Sequence, residues 1–242
     1  MERYTAYDRF AAIYNRHWGD FAQRVLDPLQ DLCLRHLPKK ARVLDLCCGT
    51  GQLAHLLTER GFRVTGIDGS EEMLNYAREN APNAHFVAAD ARNFDLGTGY
   101  QAVVSTYDSL NHIMTLDELR QVFEHVYLSL IPGGVFVFDM NLEAGFTNNG
   151  MSSYGMVEDD HAYAVKTEYD SATQEGRFHV TMFFKGEKGA AWEQADLTLV
   201  QRAYPLSALE TTLTEVGFAD VSAHYPHGQS RVFLRCVRPL NS

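Results

Sequence analysis

The sequence predicts an α/β fold: a doubly wound, mainly parallel seven-stranded sheet with a small antiparallel β insertion after the fifth strand. Three observations predict it. Short, nearly continuous apolar strands alternate with helical patterns between residues 43 and 140, as in a parallel sheet covered on both faces. The first strand runs into a Gly-rich turn and then a helix, the unit that brings backbone close to a ligand. From 145 to 202 the apolar period changes to two, which marks separate antiparallel strands.

The elements follow in order. Tyr7, Phe10, Ala11, Tyr14 and Trp18 fall three or four positions apart and predict an amphipathic first helix. Residues 20–37 read as a second helix, with a break expected near Asp27-Pro28. In VLDLCCGTG, residues 43–51, the apolar Val43, Leu44 and Leu46 form a buried strand, while Gly49 and Gly51 supply the turn. A helix over 52–60 places Leu53, Leu56 and Leu57 on one face and stops at Gly61. Residues 62–68, FRVTGID, form the second strand; Ser70 then caps a helix whose first turn holds Glu71 and Glu72. Strands follow at 85–88 and 101–106. Thr115 and Glu118 have capping-box spacing, and the helix they open carries Leu119, Val122, Phe123, Val126 and Leu130 as far as Pro132-Gly133-Gly134. The fifth strand occupies 135–140.

Three inserted strands are expected from the alternation of Tyr163, Val165, Thr167 and Tyr169, then Phe178, Val180, Met182 and Phe184, then Leu197, Leu199 and Gln201. A helix over 206–216 stops at Gly217, and 219–225 and 231–237 close the sheet. Residues 1–144 and 203–242 therefore read as the core, and 145–202 as a roof over the ligand mouth.

A chain of 242 residues supports one substantial core with an insertion. It has no basic start followed by an apolar run and no stretch of about twenty apolar residues, so the expected location is cytoplasmic, without a membrane partner. A net charge of −10 and no Lys/Arg run weigh against nucleic acid and favour a small-molecule partner. The four cysteines, Cys33, Cys47, Cys48 and Cys236, lack paired metal-ligand spacing, and the ten histidines show no two-His helical motif. No metal is expected. Monomer and homodimer both remain open.

The ligand residues emerge from spacing. Asp45 lies four positions ahead of Gly49, and Asp68, at the end of the second strand, can accept both hydroxyls of a ribose. Its other reading is a cap for the next helix, a role for which Ser70 is better placed.

Taken together, VLDLCCGTG, TGIDGSEEML, FVAADARNF, AVVSTYDSLNHI and PGGVFVFDMN resemble, in order, the motifs of class I S-adenosylmethionine-dependent methyltransferases, whose sheet is Rossmann-like. The resemblance implies S-adenosylmethionine as methyl donor, S-adenosylhomocysteine as product and no metal. It places Asp45, Gly49 and Gly51 along the methionine part of the cofactor, Asp68 on the ribose, Met73 against the adenine, and Asp90 with Ala91 at the adenine edge. Thr106 and Tyr107 close the fourth-strand end. Cys47 departs from the Gly that many members carry there. The segments YDRFAAIYN and QRAYPL narrow the resemblance to small-molecule enzymes with a β insertion, including amino-sugar N-methyltransferases. In these the first helix closes the cofactor pocket, which implies Tyr7, Tyr14 and Trp18; Asn15 replaces a common Asp.

Methyl transfer needs alignment and exclusion of water more than a catalytic triad. For an amine or hydroxyl acceptor, His112 is the candidate general base, with Tyr107 and Asp108 as alternatives; otherwise His112 is a hydrogen-bonded spacer. Arg202 and Tyr204 are candidate substrate contacts or an exposed strand end. Arg92 is a neighbour of the adenine site or a surface charge. The expected function is methyl transfer to an N or O atom of a small molecule. Two rivals are an NAD(P)-dependent oxidoreductase, from reading GTGQLA as G-x-G-x-x-A, and a non-catalytic S-adenosylmethionine-binding protein.

Overall fold

The computed structural model describes residues 5–148, 152–186 and 191–240. The opening residues 1–4, on which the expectation of no leader partly rests, lie outside them. Seven strands form the main sheet: β1 (Arg42–Leu46), β2 (Arg63–Asp68), β3 (His85–Ala88), β4 (Tyr100–Ser105), β5 (Leu130–Asn141), β10 (Ala219–His224) and β11 (Arg231–Val237). Their order is β10-β11-β5-β4-β1-β2-β3, parallel except where β11 runs against β5 and β10. The chain winds from β1 outward through β2 and β3, then returns to β4 on the other side of β1. That reversal opens a crevice at the carboxyl ends of β1 and β4, where ligands bind in open sheets.

Pleating divides the core. Val43, Ala102, Val104, Val137 and Phe233 face one side, toward α2 (Phe21–Leu32), α3 (Gln52–Glu59) and α4 (Glu71–Asn80). Their neighbours Leu44, Val103, Phe136, Phe138 and Leu234 face the other, toward α5 (Leu116–Ser129) and α7 (Leu206–Val216). Adjacent residues point to opposite faces, so a run apolar at every position fills two cores. The caps fall where expected: the Ser70 hydroxyl accepts from the Met73 amide at 3.2 Å and the Thr115 hydroxyl from the Glu118 amide at 3.2 Å. Gly51, with φ +81°, opens α3, and a Cβ there would sit 2.8 Å from the Ala77 Cα of α4.

Several elements differ from expectation. Helix α2 runs unbroken through Pro28, whose buried ring lies against the core, and a short 3-10 turn, Leu34–His36, follows. β5 begins at Leu130, ahead of the Pro-Gly-Gly segment, because Gly133 and Gly134 exchange backbone bonds with Arg238. A short helix α6 (Glu143–Asn148) straddles the expected start of the insertion at 145. The inserted sheet has four strands rather than three, in the order β6 (Ser153–Val157), β7 (His161–Asp170), β8 (Glu175–Lys185) and β9 (Trp192–Arg202), all antiparallel. β6 is exposed at every position and so carries no hydrophobic alternation to read. α1 (Thr5–His17) lies between this sheet and α4, sealed by Phe10, Ile13, Met73, Val165, Val180 and Met182.

Phe138 is fully buried and touches the rings of Phe123 and Phe136, at centroid distances of 5.4 and 4.7 Å. Phe138→Ala is expected to lower unfolding free energy by about 3–5 kcal/mol through the cavity it leaves. Urea denaturation measures this, and a loss under about 1 kcal/mol would show that the site repacks.

Candidate active site

The strand ends, α1 and the inserted sheet enclose a cavity of about 840 Å³. Its floor is made by the turns after β1, β2 and β3. The first turn holds Cys47 at φ +59° and Gly49 at φ +52°. That conformation suits glycine and strains a side chain, so Cys47 is held there by its surroundings. The Gly49 amide donates to Asp68 Oδ2 at 2.9 Å, and the Ser70 amide to Oδ1 at 2.9 Å. Burial raises the Asp68 pKa, while these amides lower it. The Gly69 amide acts on the same carboxylate, which still has acceptor capacity on its cavity side for a hydroxyl ligand.

Asp45 differs. Its Oδ2 is buried without a hydrogen-bond partner among the described residues, and burial, with the nearby Asp68 charge adding to it, pushes its pKa up to about 8. It borders a small space of about 30 Å³, also bounded by Gln52 and Thr106, that shares Tyr14, Trp18, Cys47 and Tyr107 with the main cavity. An orphaned buried acid beside a chamber fits a ligand carrying an ammonium group. The implied S-adenosylmethionine has such a group at one end and a ribose at the other, so these residues fit it.

Over the floor, α1 contributes Tyr7, Phe10 and Tyr14, and the turn that follows it Trp18. Burial raises the Tyr14 hydroxyl well above its ordinary value, so it stays protonated. Asn15, at the position of the common Asp, accepts from Gln52 Nε2 and from Asn80 Nδ2, both at 2.7 Å, and ties α1 to α3 and α4. Its carbonyl does what a carboxylate could do.

The loop after β4 carries the strongest constraint. Tyr107 and Asp108 have φ of +65° and +48°, two consecutive left-handed residues without glycine. The Tyr107 ring stacks on Phe21 at 4.1 Å. Arg231, at the start of β11, holds Asp108 at 2.5 Å with one nitrogen and pairs with Asp139 of β5 through another. Burial alone would lower the Arg231 pKa, but the two carboxylates raise it above its ordinary range; burial lifts Asp139 to about 6 against the opposing pull of Arg231. The other Asp108 oxygen accepts from Gln201 Nε2, which also lies 3.1 Å from His112 Nε2.

This chain dictates the His112 tautomer. The Gln201 amide nitrogen turns toward Asp108 because only a donor can face a carboxylate, so His112 Nε2 accepts and Nδ1 carries the hydrogen. Nδ1 donates to the Val200 carbonyl at 2.9 Å, with the Tyr7 hydroxyl 3.0 Å away. Burial lowers the His112 pKa below its ordinary value, against the pull of Asp108. Gln201 Oε1 remains buried and unpartnered among the described residues, in the cavity wall.

Tyr7, Tyr14, Trp18, Gly49, Asp68, Met73, Ala91, Tyr107 and His112 thus share one cavity, with Asp45 and Thr106 at its small annex. Four expected residues stand outside both spaces. Gly51 packs against α4 rather than facing a ligand. The Asp90 carboxylate is turned to the Arg92 guanidinium, at 2.9 Å from Nε to Oδ1, and Arg92 reaches on to Glu118 at 2.5 Å. Arg202 donates to the Met114 carbonyl at 3.2 Å, and Tyr204 to the Ile113 carbonyl at 2.6 Å, so both brace the His112 loop from behind. Gln201 takes the place expected of Arg202, and strand parity could have found it: Gln201 alternates with Leu197 and Leu199, facing inward. Arg231 and Asp139 carry no local signal.

Residues 43–134 match the family model described as a methyltransferase domain. The chain is 32% identical over 213 residues to the putative methyltransferase YqeM of Bacillus subtilis, covering 84% of this chain and 86% of that one. It is 36% identical over 140 residues to the dTDP-3-amino-3,4,6-trideoxy-alpha-D-glucopyranose N,N-dimethyltransferase of Streptomyces venezuelae, covering 57% of each. In fold it is similar to the sugar N-methyltransferase KedS8 from Streptoalloteichus, with a TM-score of 0.78 at 20% identity over 95% of this chain and 92% of that one.

Because the Asp45 pKa stands near 8 in the folded chain against 3.8 ordinarily, Asp45 favours folding fully below about pH 4. That contribution is lost as pH rises to about 8, since the unfolded chain releases its proton first. The ligand-free protein is therefore expected to lose melting temperature between pH 5 and pH 8. Asp45→Asn is expected to flatten that loss and melt higher than wild type at pH 8. Scanning calorimetry at both pH values checks this; parallel wild-type and variant profiles would contradict it.

Proposed function

Because the chain belongs to the class I S-adenosylmethionine-dependent methyltransferases, we propose that it transfers the methyl group to a nitrogen or oxygen atom, an amine nitrogen in first place, of a small molecule bound beneath the inserted sheet. Family membership sets aside the oxidoreductase and the non-catalytic reading. The observation that carries the proposal is the continuity of the cavity. It runs from Gly49 and Asp68 at the strand ends to His112, Tyr7 and Gln201 under β8 and β9.

When bound, S-adenosylmethionine supplies a sulfonium-activated methyl group open to in-line attack by an acceptor lone pair. Asp68 is assigned to the ribose hydroxyls, Asp45 to the ammonium end, and Met73 and Ala91 to the adenine. Tyr14 and Trp18 exclude water from above. His112 is assigned as proton acceptor at Nε2, the unprotonated nitrogen, whose lone pair accepts from the Gln201 amide until an acceptor's proton takes that amide's place. Its lowered pKa keeps it neutral at pH 7, as a base must be. Tyr107, backed by Phe21 and held in a strained conformation, is assigned to the wall between donor and acceptor. The amine preference is supported by the named amino-sugar dimethyltransferase relative.

Calorimetry with S-adenosylmethionine, S-adenosylhomocysteine and NAD, together with S-adenosylhomocysteine release across amines, hydroxyls and carboxylates, tests the proposal. Binding of the first two without NAD and turnover on an amine are expected; turnover on hydroxyls or carboxylates with none on any amine would overturn the amine preference, and no turnover on any of the three would overturn the N- or O-acceptor class. Asp68→Ala is expected to weaken S-adenosylhomocysteine by about 10- to 100-fold, the loss of one or two charge-assisted hydrogen bonds. Unchanged affinity would remove Asp68 from the ribose. His112→Ala is expected to keep cofactor affinity and lose turnover. In wild type the acid limb of the kcat/KM profile should lie below the ordinary imidazole value, and a limb that persists in the variant would belong to another group.

A further inference from the structure

At the far end of α1, away from the methyl-transfer cavity, two histidines meet across the seam with the inserted sheet. His17 closes α1 and His161 opens β7, and their side chains are only 7% and 6% exposed. Their Nε2 atoms lie 2.6 Å apart. His161 Nδ1 lies 2.7 Å from Asp160 Oδ1 and 3.3 Å from Arg16 Nη1; the nearer carboxylate needs a donor, so Nδ1 carries the hydrogen and Nε2 presents a lone pair to His17. Two imidazole lone pairs repel unless a proton or a cation lies between them.

Glu158 adds a third donor. Its Oε2 accepts from Arg16 at 2.8 Å, which leaves Oε1 directed at His17 Nε2, 4.0 Å away. One donor atom from each of His17, Glu158 and His161 lies within 4.8 Å of the others. Tyr163 and Trp18 wall the inner side, with ring centroids 5.2 and 6.3 Å from His17. Glu158 and Asp160 bring two negative charges and Arg16, half exposed on the outer side, one positive charge, so the net local charge favours a cation.

We propose that His17, Glu158 and His161 bind a divalent cation of the Zn2+ class, which pins the end of α1 to the turn between β6 and β7. Two imidazoles and a carboxylate with one position left for water suit that ion, and Asp160 on His161 Nδ1 is the outer carboxylate that metal-bound histidines recruit. Zn–N bonds of about 2.0–2.1 Å in a tetrahedron put ligand atoms roughly 3.3 Å apart. Side-chain rotations of under about 1 Å, outward for the imidazoles and inward for Glu158, reach that spacing from the observed one. The sequence expectation of no metal rested on local spacing, and these ligands come together only in the folded chain. The cation joins the two elements that close the cavity, α1 and the roof, without touching the reacting groups.

The test uses the full chain after dialysis against EDTA, titrated with Co2+ as a spectroscopic probe and then with Zn2+. One equivalent of Co2+ is expected to give visible ligand-field absorption, which Zn2+ abolishes while raising the melting temperature. His17→Ala, His161→Ala and the partly exposed Glu158→Gln are each expected to weaken binding by at least about tenfold, and Asp160→Asn by about tenfold. His55→Ala, on the exposed face of α3, should bind as wild type does. Absence of stoichiometric Co2+ binding overturns the site, as does wild-type binding by Glu158→Gln together with a folded His17→Ala. Should the histidine variants fail to fold by circular dichroism, Glu158→Gln and Asp160→Asn decide the matter alone.

Discussion

The guanidinium of Arg231, set between Asp108 and Asp139, is the constraint on which the acceptor half of the site depends. A buried charge pair is weak evidence for stability, because desolvation offsets most of the attraction; its value here is geometric. One cation fixes the end of β5, the start of β11 and a loop that takes two left-handed residues in succession. That loop cannot relax without leaving a buried charge unpaired, which costs several kcal/mol. The strain at Tyr107 and Asp108, roughly 1–3 kcal/mol each, is thus held by a larger penalty. Through Asp108 the same charge orients Gln201, and through Gln201 it chooses the nitrogen of His112 that bears a proton.

The cofactor half depends on a different tension. Asp45 is buried and Asp68 half-buried at adjacent strand ends, and burial, with the Asp68 charge adding to it, raises the cost of ionising Asp45. Asp68 is relieved by the amides of Gly49, Gly69 and Ser70, whereas Asp45 keeps an oxygen unsatisfied among the described residues. An unpaired buried carboxyl is unfavourable for the ligand-free fold. A cationic ligand at Asp45 would reverse that sign, so the residue that weakens the empty protein would strengthen a loaded one.

What the sequence made legible follows from the range of each signal. Strand β1 and the caps at Ser70 and Thr115 are local, and periodicity or a three-residue spacing reveals them. Asp45, Gly49 and Asp68 were readable because a strand end and a turn are adjacent in the chain. Pro28 was misread as a break because a buried helix tolerates one missing amide when packing compensates. β6 was missed because a strand exposed on both faces has no pattern. At the roof the error was one of parity: Arg202 has the more conspicuous chemistry, but a strand turns alternate residues outward, and its neighbour Gln201 faces the cavity. Arg231 lies 123 residues from Asp108, so no local pattern could join them.

The roof and α1 also share a core of their own. The two main cores bind the helices to the central sheet, whereas Phe10, Ile13, Met73, Val180 and Met182 form a third cluster that holds only α1, α4 and the inserted sheet together. That third cluster is smaller than either main core, so the contact between α1 and the roof rests on less buried apolar surface than the packing of the helices on the central sheet. Met73 belongs to that cluster and also lines the cavity. A ligand packed on Met73 would add buried apolar surface to the smallest of the three cores and so strengthen the contact between α1 and the roof.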